Sequence, residues 1–419
     1  MRKFLHWMLA AILICGTSVF ASCNNDDNPV DNPSTKKVDL ATLTADYTAQ
    51  DGDILTGILA NPVKITVADG ASITIVDAYI NDKGTVYNEL EYAGITCLGD
   101  ATITLNDSNS ICGFNKYYPA IFVPDGHTLT FQGNGILSAH GSGGNPYIYI
   151  PWCAAIGSVR AGEKCGNLVF MGGKFYVNGG YDSSAIGASN YSDCGDITIG
   201  GTAEIEAHSE NGAAAIGTGS AGWGYSTCGD ITIGGSAKVL AVGGKNSPAI
   251  GAGLFGKCGN ITIGEEARVN AIGIDYSPGI GAGHYGTCKA IIIKGGYVRA
   301  TGDDGSPGIG TFCSDRSYCE SITITGGTIV ATGGEDAPAI GWAPENLKTF
   351  PITITSTIRA LIATRGSDSA DYIGAGADST PGGVTIDGVE NATPESTFPY
   401  LESSVGGNTW TLISKFPSF

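Results

Sequence analysis

Cys194-Gly-Asp-Ile-Thr-Ile-Gly-Gly-Thr-Ala-Glu-Ile-Glu-Ala207, followed by Ala215-Ile216-Gly217, is the stretch that decides the fold. Ile197-Thr198-Ile199 alternates apolar and polar residues, the period of a strand with one buried face. Gly200-Gly201 turns the chain, Ala203, Ile205 and Ala207 form a second inward stripe, and Ala215-Ile216-Gly217 forms a third. The unit then returns. A close variant of Ala-Ile-Gly recurs with its isoleucine at Ile121, Ile156, Ile186, Ile216, Ile250, Ile280, Ile309, Ile340 and Ile373, with Gly94-Ile95 as an earlier copy. Intervals of 26 to 35 residues confine the length variation to loops. Such a period predicts an all-β, single-domain, right-handed parallel β-helix of about ten rungs with capped ends.

Composition agrees, because 64 glycines and three methionines in 419 residues suit many tight turns and exclude a helical fold. The repeats span 94–387. Residues 38–93 carry weaker copies, Ile65-Thr66-Val67 and Ile73-Thr74-Ile75, and read as an N-terminal cap with the first irregular coils. Residues 388–419, with Trp410 and Leu412, read as a cover for the other end. The repeats also keep a parity. The inward residue lies four positions after Gly201 (Ile205) but two after Gly296 (Val298), and an even difference preserves the face.

Residues 1–22 have Arg2 and Lys3, an apolar run from Trp7 to Ile14, and small residues before Cys23, the pattern of a cleaved export signal. Phe20-Ala-Ser-Cys23 resembles a bacterial lipobox, with Cys23 as the lipidation site and Phe20 where leucine is usual. Residues 23–37 are polar, acidic and proline-broken, a flexible tether. Acidic residues directly after such a cysteine resemble the surface-export signal of some Gram-negative lipoproteins. The expected location is the outer membrane, lipid-anchored and facing outward. Losing Arg2 and Lys3 takes the formal charge of −18 down by two to −20, which argues against nucleic acid as a partner.

Cys165, Cys194, Cys228, Cys258, Cys288 and Cys319 share one repeat position and should form an internal ladder of buried thiols, at a spacing that also permits rung-to-rung disulfides. Cys313 and Cys319 flank one loop and are the expected disulfide. No zinc spacing is present.

Motifs that resemble chemistry belong to the scaffold. Gly251-Ala-Gly-Leu-Phe-Gly256 matches a dinucleotide fingerprint, but it recurs at Gly217–Gly222 and Gly281–Gly286 with no helix to follow. His127, His140, His208 and His284 lie in no zinc motif and beside no evident nucleophile. The outward threonines Thr198, Thr232, Thr262, Thr323 and Thr353 reflect strand preference. No catalytic residue is assigned, although loose carboxylates leave a glycosidase pair open. Arg268, Arg299, Lys294 and Arg316, candidate bases for a lyase, share no repeat position.

Two surface rows remain. An acidic row precedes the repeat isoleucine and includes Asp275, Asp303, Asp304, Glu335 and Asp336. It suits a solvated turn, calcium, the one cofactor the sequence brings to mind, or direct contact with sugar. An aromatic row lies between the Ala-Ile-Gly segment and the next cysteine. Tyr191, Trp223, Tyr225, Phe255, Tyr285 and Trp342 are its candidate glycan contacts, and loop packing is the competing account.

Gly-Gly-Thr-Ile-Val-Ala-Thr-Gly-Gly at 326–334, Ser-Pro-Ala-Ile-Gly-Ala-Gly at 247–253 and Cys-Gly-Asn-Ile-Thr-Ile at 258–263 resemble bacterial surface β-helix proteins of the carbohydrate-binding, adhesin-like kind. That resemblance implies a non-catalytic module that binds polysaccharide or a cell-surface glycan along one long face. The alternatives are a β-helix polysaccharide lyase or glycoside hydrolase, and a structural stalk without ligand.

Overall fold

The computed structural model describes residues 35–415, apart from 88, 142–151, 161, 163, 223, 313, 315, 345–348 and 380–381. The leader, Cys23, Trp223 and Cys313 therefore lie outside the described residues.

The described chain is a parallel β-solenoid. In the type coil, strands run at Ile197–Ile199, Glu204–Glu210 and Ile216–Gly217, with a short strand Asp193–Cys194 leading in. Each pairs in parallel with its counterpart one coil on: Cys194 with Cys228, Ile197 with Ile231, Ile205 with Val239, and Ile216 with Ile250. The Ala-Ile-Gly strands and their forerunners from Tyr47–Ala49 onward make one sheet of 12 strands, and the Ile-Thr-Ile and Val-x-Ala strands share the other sheet. Parallel pairing already begins where Lys37–Asp39 meets Ile54–Thr56.

Alternation decides what is inside. Ile197, Ile199, Ala203, Ile205 and Ala207 are buried, and the repeat isoleucines from Ile121 to Ile340 are fully so. Each such isoleucine contributes about 1.5–3 kcal/mol through burial. Because identical residues stack, that burial is one unbroken column. The facing also holds: Ile205, Val239, Val269 and Val298 form a single ladder although the turn before Val298 is one residue shorter, so the geometry of the turn and not an even residue count restores it.

The glycine of Ala-Ile-Gly has its own cause. From Gly187 to Gly341 these glycines have φ between 129° and 144°, and a Cβ on any of them would overlap the carbonyl oxygen of the next glycine in the column. Only glycine lets the coils approach that closely.

Cys165, Cys194, Cys228, Cys258, Cys288 and Cys319 stack in register. The expected Cys313–Cys319 bridge is corrected here. Cys319 is bonded to Cys288, 31 residues away, with Cα atoms 4.9 Å apart. In a stack the nearest neighbour lies one coil away, whatever the loop between contains.

Past the last coil the polarity reverses. Thr409–Ser414 pairs antiparallel with Ala360–Thr364 and forms a hairpin with Leu401–Gly406. Trp410 is buried between Phe398 and Tyr372, with ring centres 6.2 and 6.1 Å away, and its Nε1 donates to Ser403 Oγ at 2.8 Å.

Candidate ligand-binding surfaces

The aromatic row does not behave as one surface. Tyr191, Phe255 and Tyr285 occupy left-handed turns with φ of 56° to 57°, an unusual conformation for bulky residues that recurs with the repeat. Beyond them the rings close on one another. Phe255 stacks on Tyr285 at 4.7 Å, and His284 lies 4.0 Å from Tyr285 and 4.9 Å from Phe312. That half packs its own loops. Earlier in the row, Tyr191 and Tyr225 are 49% and 59% exposed, and Lys257 Nζ sits 3.4 Å from the centre of the Tyr225 ring. These two tyrosines remain open to a ligand.

Trp342 is a correction: it is fully buried and packs against Phe350 at 5.2 Å. It lies two residues beyond Ile340 on the same strand, in register with Thr311 and Ala375, so alternation turns it into the core. It is no glycan contact.

The acidic row follows from turn conformation. Asp182, Asn211, Asn246, Asp275, Gly305 and Asp336, each four or five residues before its isoleucine, all have φ between 49° and 65°. Asp, Asn and Gly are the residues that tolerate this region. Asp336 Oδ1 accepts from the hydroxyls of Ser367 and Ser369 at 2.7 and 3.1 Å. Asp182 accepts from Asn211 Nδ2 at 2.7 Å, and burial raises its pKa above the ordinary carboxyl value despite that bond. Among the described residues, no three His, Cys, Asp or Glu side chains converge as a metal site.

A third surface went unnoticed in the sequence. The outer face of the Val-x-Ala strands bears a concavity of about 480 Å³ between Lys174 and Arg299. Its two rows come from positions flanking the inward valine. One row reads Lys174, Glu204, Lys238, Arg268, Tyr297, and the next reads Tyr176, Glu206, Leu240, Asn270, Arg299. The Glu204 end is internally paired. Lys238 Nζ donates to Glu204 Oε1 at 2.5 Å, and this bond holds the Glu204 carboxyl below its ordinary pKa. Glu206 Oε1 meets His208 Nε2 at 3.3 Å. At the other end, exposed Arg268 and Arg299 have no carboxylate within ion-pair distance among the described residues. Tyr297 beside them is 45% exposed, and Asn270 Oδ1 beneath them is buried without a hydrogen-bond partner.

Repeat alignment hid this face. Arg268 and Arg299 occupy different repeat positions, but those positions are two residues apart on one outward face, so stacking brings them together diagonally. The usable signal was the pair of residues flanking the inward valine in each Val-x-Ala segment.

Compared with known proteins, the chain matches no family model, no curated protein and no solved structure.

Proposed function

We propose that this protein is a lipid-anchored bacterial surface module that binds glycan along its solenoid without cleaving it. The observation that carries the reading is the concavity on the Val-x-Ala face. It joins an exposed tyrosine ring, an amide, guanidinium groups and carboxylates around Leu240, the mixture that packs sugar faces and meets sugar hydroxyls. A ladder of in-register strands fixes the backbone that carries these groups, which lowers part of the ordering cost of binding. Exposed Tyr191 and Tyr225 lie elsewhere on each coil, between the Ala-Ile-Gly and Ile-Thr-Ile strands, and offer a second point of contact.

Binding without cleavage is favoured by the state of Glu204. A glycosidase acid needs its pKa raised, and the bond from Lys238 lowers this one. Anchoring at the outer face of the outer membrane rests on the leader, Cys23 and the acidic tether.

A glycan array probed with the mature protein, run beside an assay for new reducing or unsaturated ends, tests the reading. Binding without new ends is expected. New ends would replace it with an enzyme, and absence of any binding would leave a stalk.

A further inference from the structure

Within that glycan-binding reading, we propose that the Arg268–Arg299 end of the concavity seats an oxyanion carried by a sugar chain, a uronate carboxylate or a sulfate ester. The argument starts from charge. The chain carries 40 acidic and 22 basic residues, so a carboxylate partner is the common circumstance for a cation here. Lys238, one rung before Arg268, has such a partner in Glu204. Arg268 and Arg299 have none within ion-pair distance among the described residues, and they stand on adjacent rungs of one face. Two like charges on a diagonal of adjacent rungs, with backbones roughly 7–8 Å apart, repel. An anion between them reverses the sign of that interaction, and guanidinium forks match carboxylate and sulfate geometry.

The surroundings extend the fit. Tyr297, in register with Arg268, offers a ring face to the sugar that bears the anion. Asn270, in register with Arg299, has an unpaired buried carbonyl on the floor that a ligand hydroxyl can satisfy once the covering side chains move aside. Glu204 and Glu206 lie toward the other end and disfavour an anion on every sugar, so a chain with spaced charges fits best.

The test uses the mature full chain and three immobilised polymers: hyaluronan, which carries only carboxylates, keratan sulfate, which carries only sulfates, and neutral dextran. An array of neutral glycans runs in parallel. Hyaluronan or keratan sulfate should bind at least tenfold more tightly than any neutral glycan, and which of the two wins identifies the oxyanion. Arg268→Gln with Arg299→Gln should lose at least tenfold while the melting curve stays unchanged. Lys289→Gln with Lys294→Gln removes the same charge outside the concavity and should lose less than twofold. Equal losses in the two double variants would overturn the site in favour of net charge. Neutral glycans bound as tightly as the anionic ones, with the arginine variant indistinguishable from wild type, would overturn the oxyanion and keep the glycan reading. No binding to any polymer or array glycan would overturn both.

Discussion

Gly251 is paired in register with Gly281 of the next coil, and the carbonyl of Gly281 fills the space a side chain on Gly251 would need. Gly251→Ala therefore has to push two coils apart or twist the strand, at a cost of about 2 kcal/mol or more. Gly383→Ala meets nothing within 4 Å and should be near neutral. Chemical denaturation of the two variants side by side checks the contrast. Equal effects would mean that the glycine column is not a close contact.

The Cys288–Cys319 bridge should appear as one cross-linked peptide in a non-reducing digest, with Cys313 absent from it. Closing a loop of 31 residues is worth about 3–4 kcal/mol in the chain-entropy account. Cys288→Ser with Cys319→Ser should lower the melting temperature, and reductant should lower it for wild type but not for the variant. A Cys313–Cys319 peptide would refute the stacking argument.

Trp342 and Tyr225 should separate cleanly. Trp342→Ala removes a fully buried ring and should cost about 3–5 kcal/mol of stability. Tyr225→Ala removes an exposed one, so the melting curve should hold while glycan affinity falls by roughly 1–3 kcal/mol if the loop contacts ligand. Melting curves and array titrations of both variants provide the measurement.

Asp182 gives the fold a pH dependence. Burial raises its folded pKa above the unfolded value of 3.8, so the native state holds its proton more tightly than the unfolded chain. Stability then falls as pH rises from 3.8 through the folded pKa, and the full penalty persists above it. Asp182→Asn keeps an oxygen to accept from Asn211 and has no charge to desolvate. The variant should match wild type below pH 3.8 and exceed it in melting temperature at neutral pH. A wild type that is the more stable of the two at pH 7 would show that the hydrogen bonds to the carboxylate outweigh its burial.

The fold was legible because a solenoid writes its cross-section once per period. Ile197, Ile205 and Ile216 announce three inward stripes in one coil, and the shortened turn before Val298 confirms that facing is under constraint. The sites were harder to see, for one geometric reason. Reading along the chain pairs residues a few positions apart, as with Cys313 and Cys319, whereas the stack joins Cys319 to Cys288. Aligning the repeats compares like positions, whereas a surface is built from positions two apart on neighbouring rungs, as with Arg268 and Arg299. Trp342 was misread because its loop was counted before its strand had ended. No pattern in the sequence reports which guanidinium lacks a partner, since that depends on where neighbouring side chains finish.

A stack of parallel coils is by nature a one-dimensional crystal, and its bare end would template the next molecule as readily as its own next coil. The Trp410 hairpin interrupts that growth, because Thr409–Ser414 occupies the edge of Ala360–Thr364 in the opposite direction and leaves outermost Leu401–Gly406, a strand with one buried residue in place of the inward stripe. Polymerisation is thereby traded for a rod of fixed length. Gene duplication can lengthen that rod only from within, one thirty-residue copy at a time, and each added copy would carry the far tip about 4.8 Å further out.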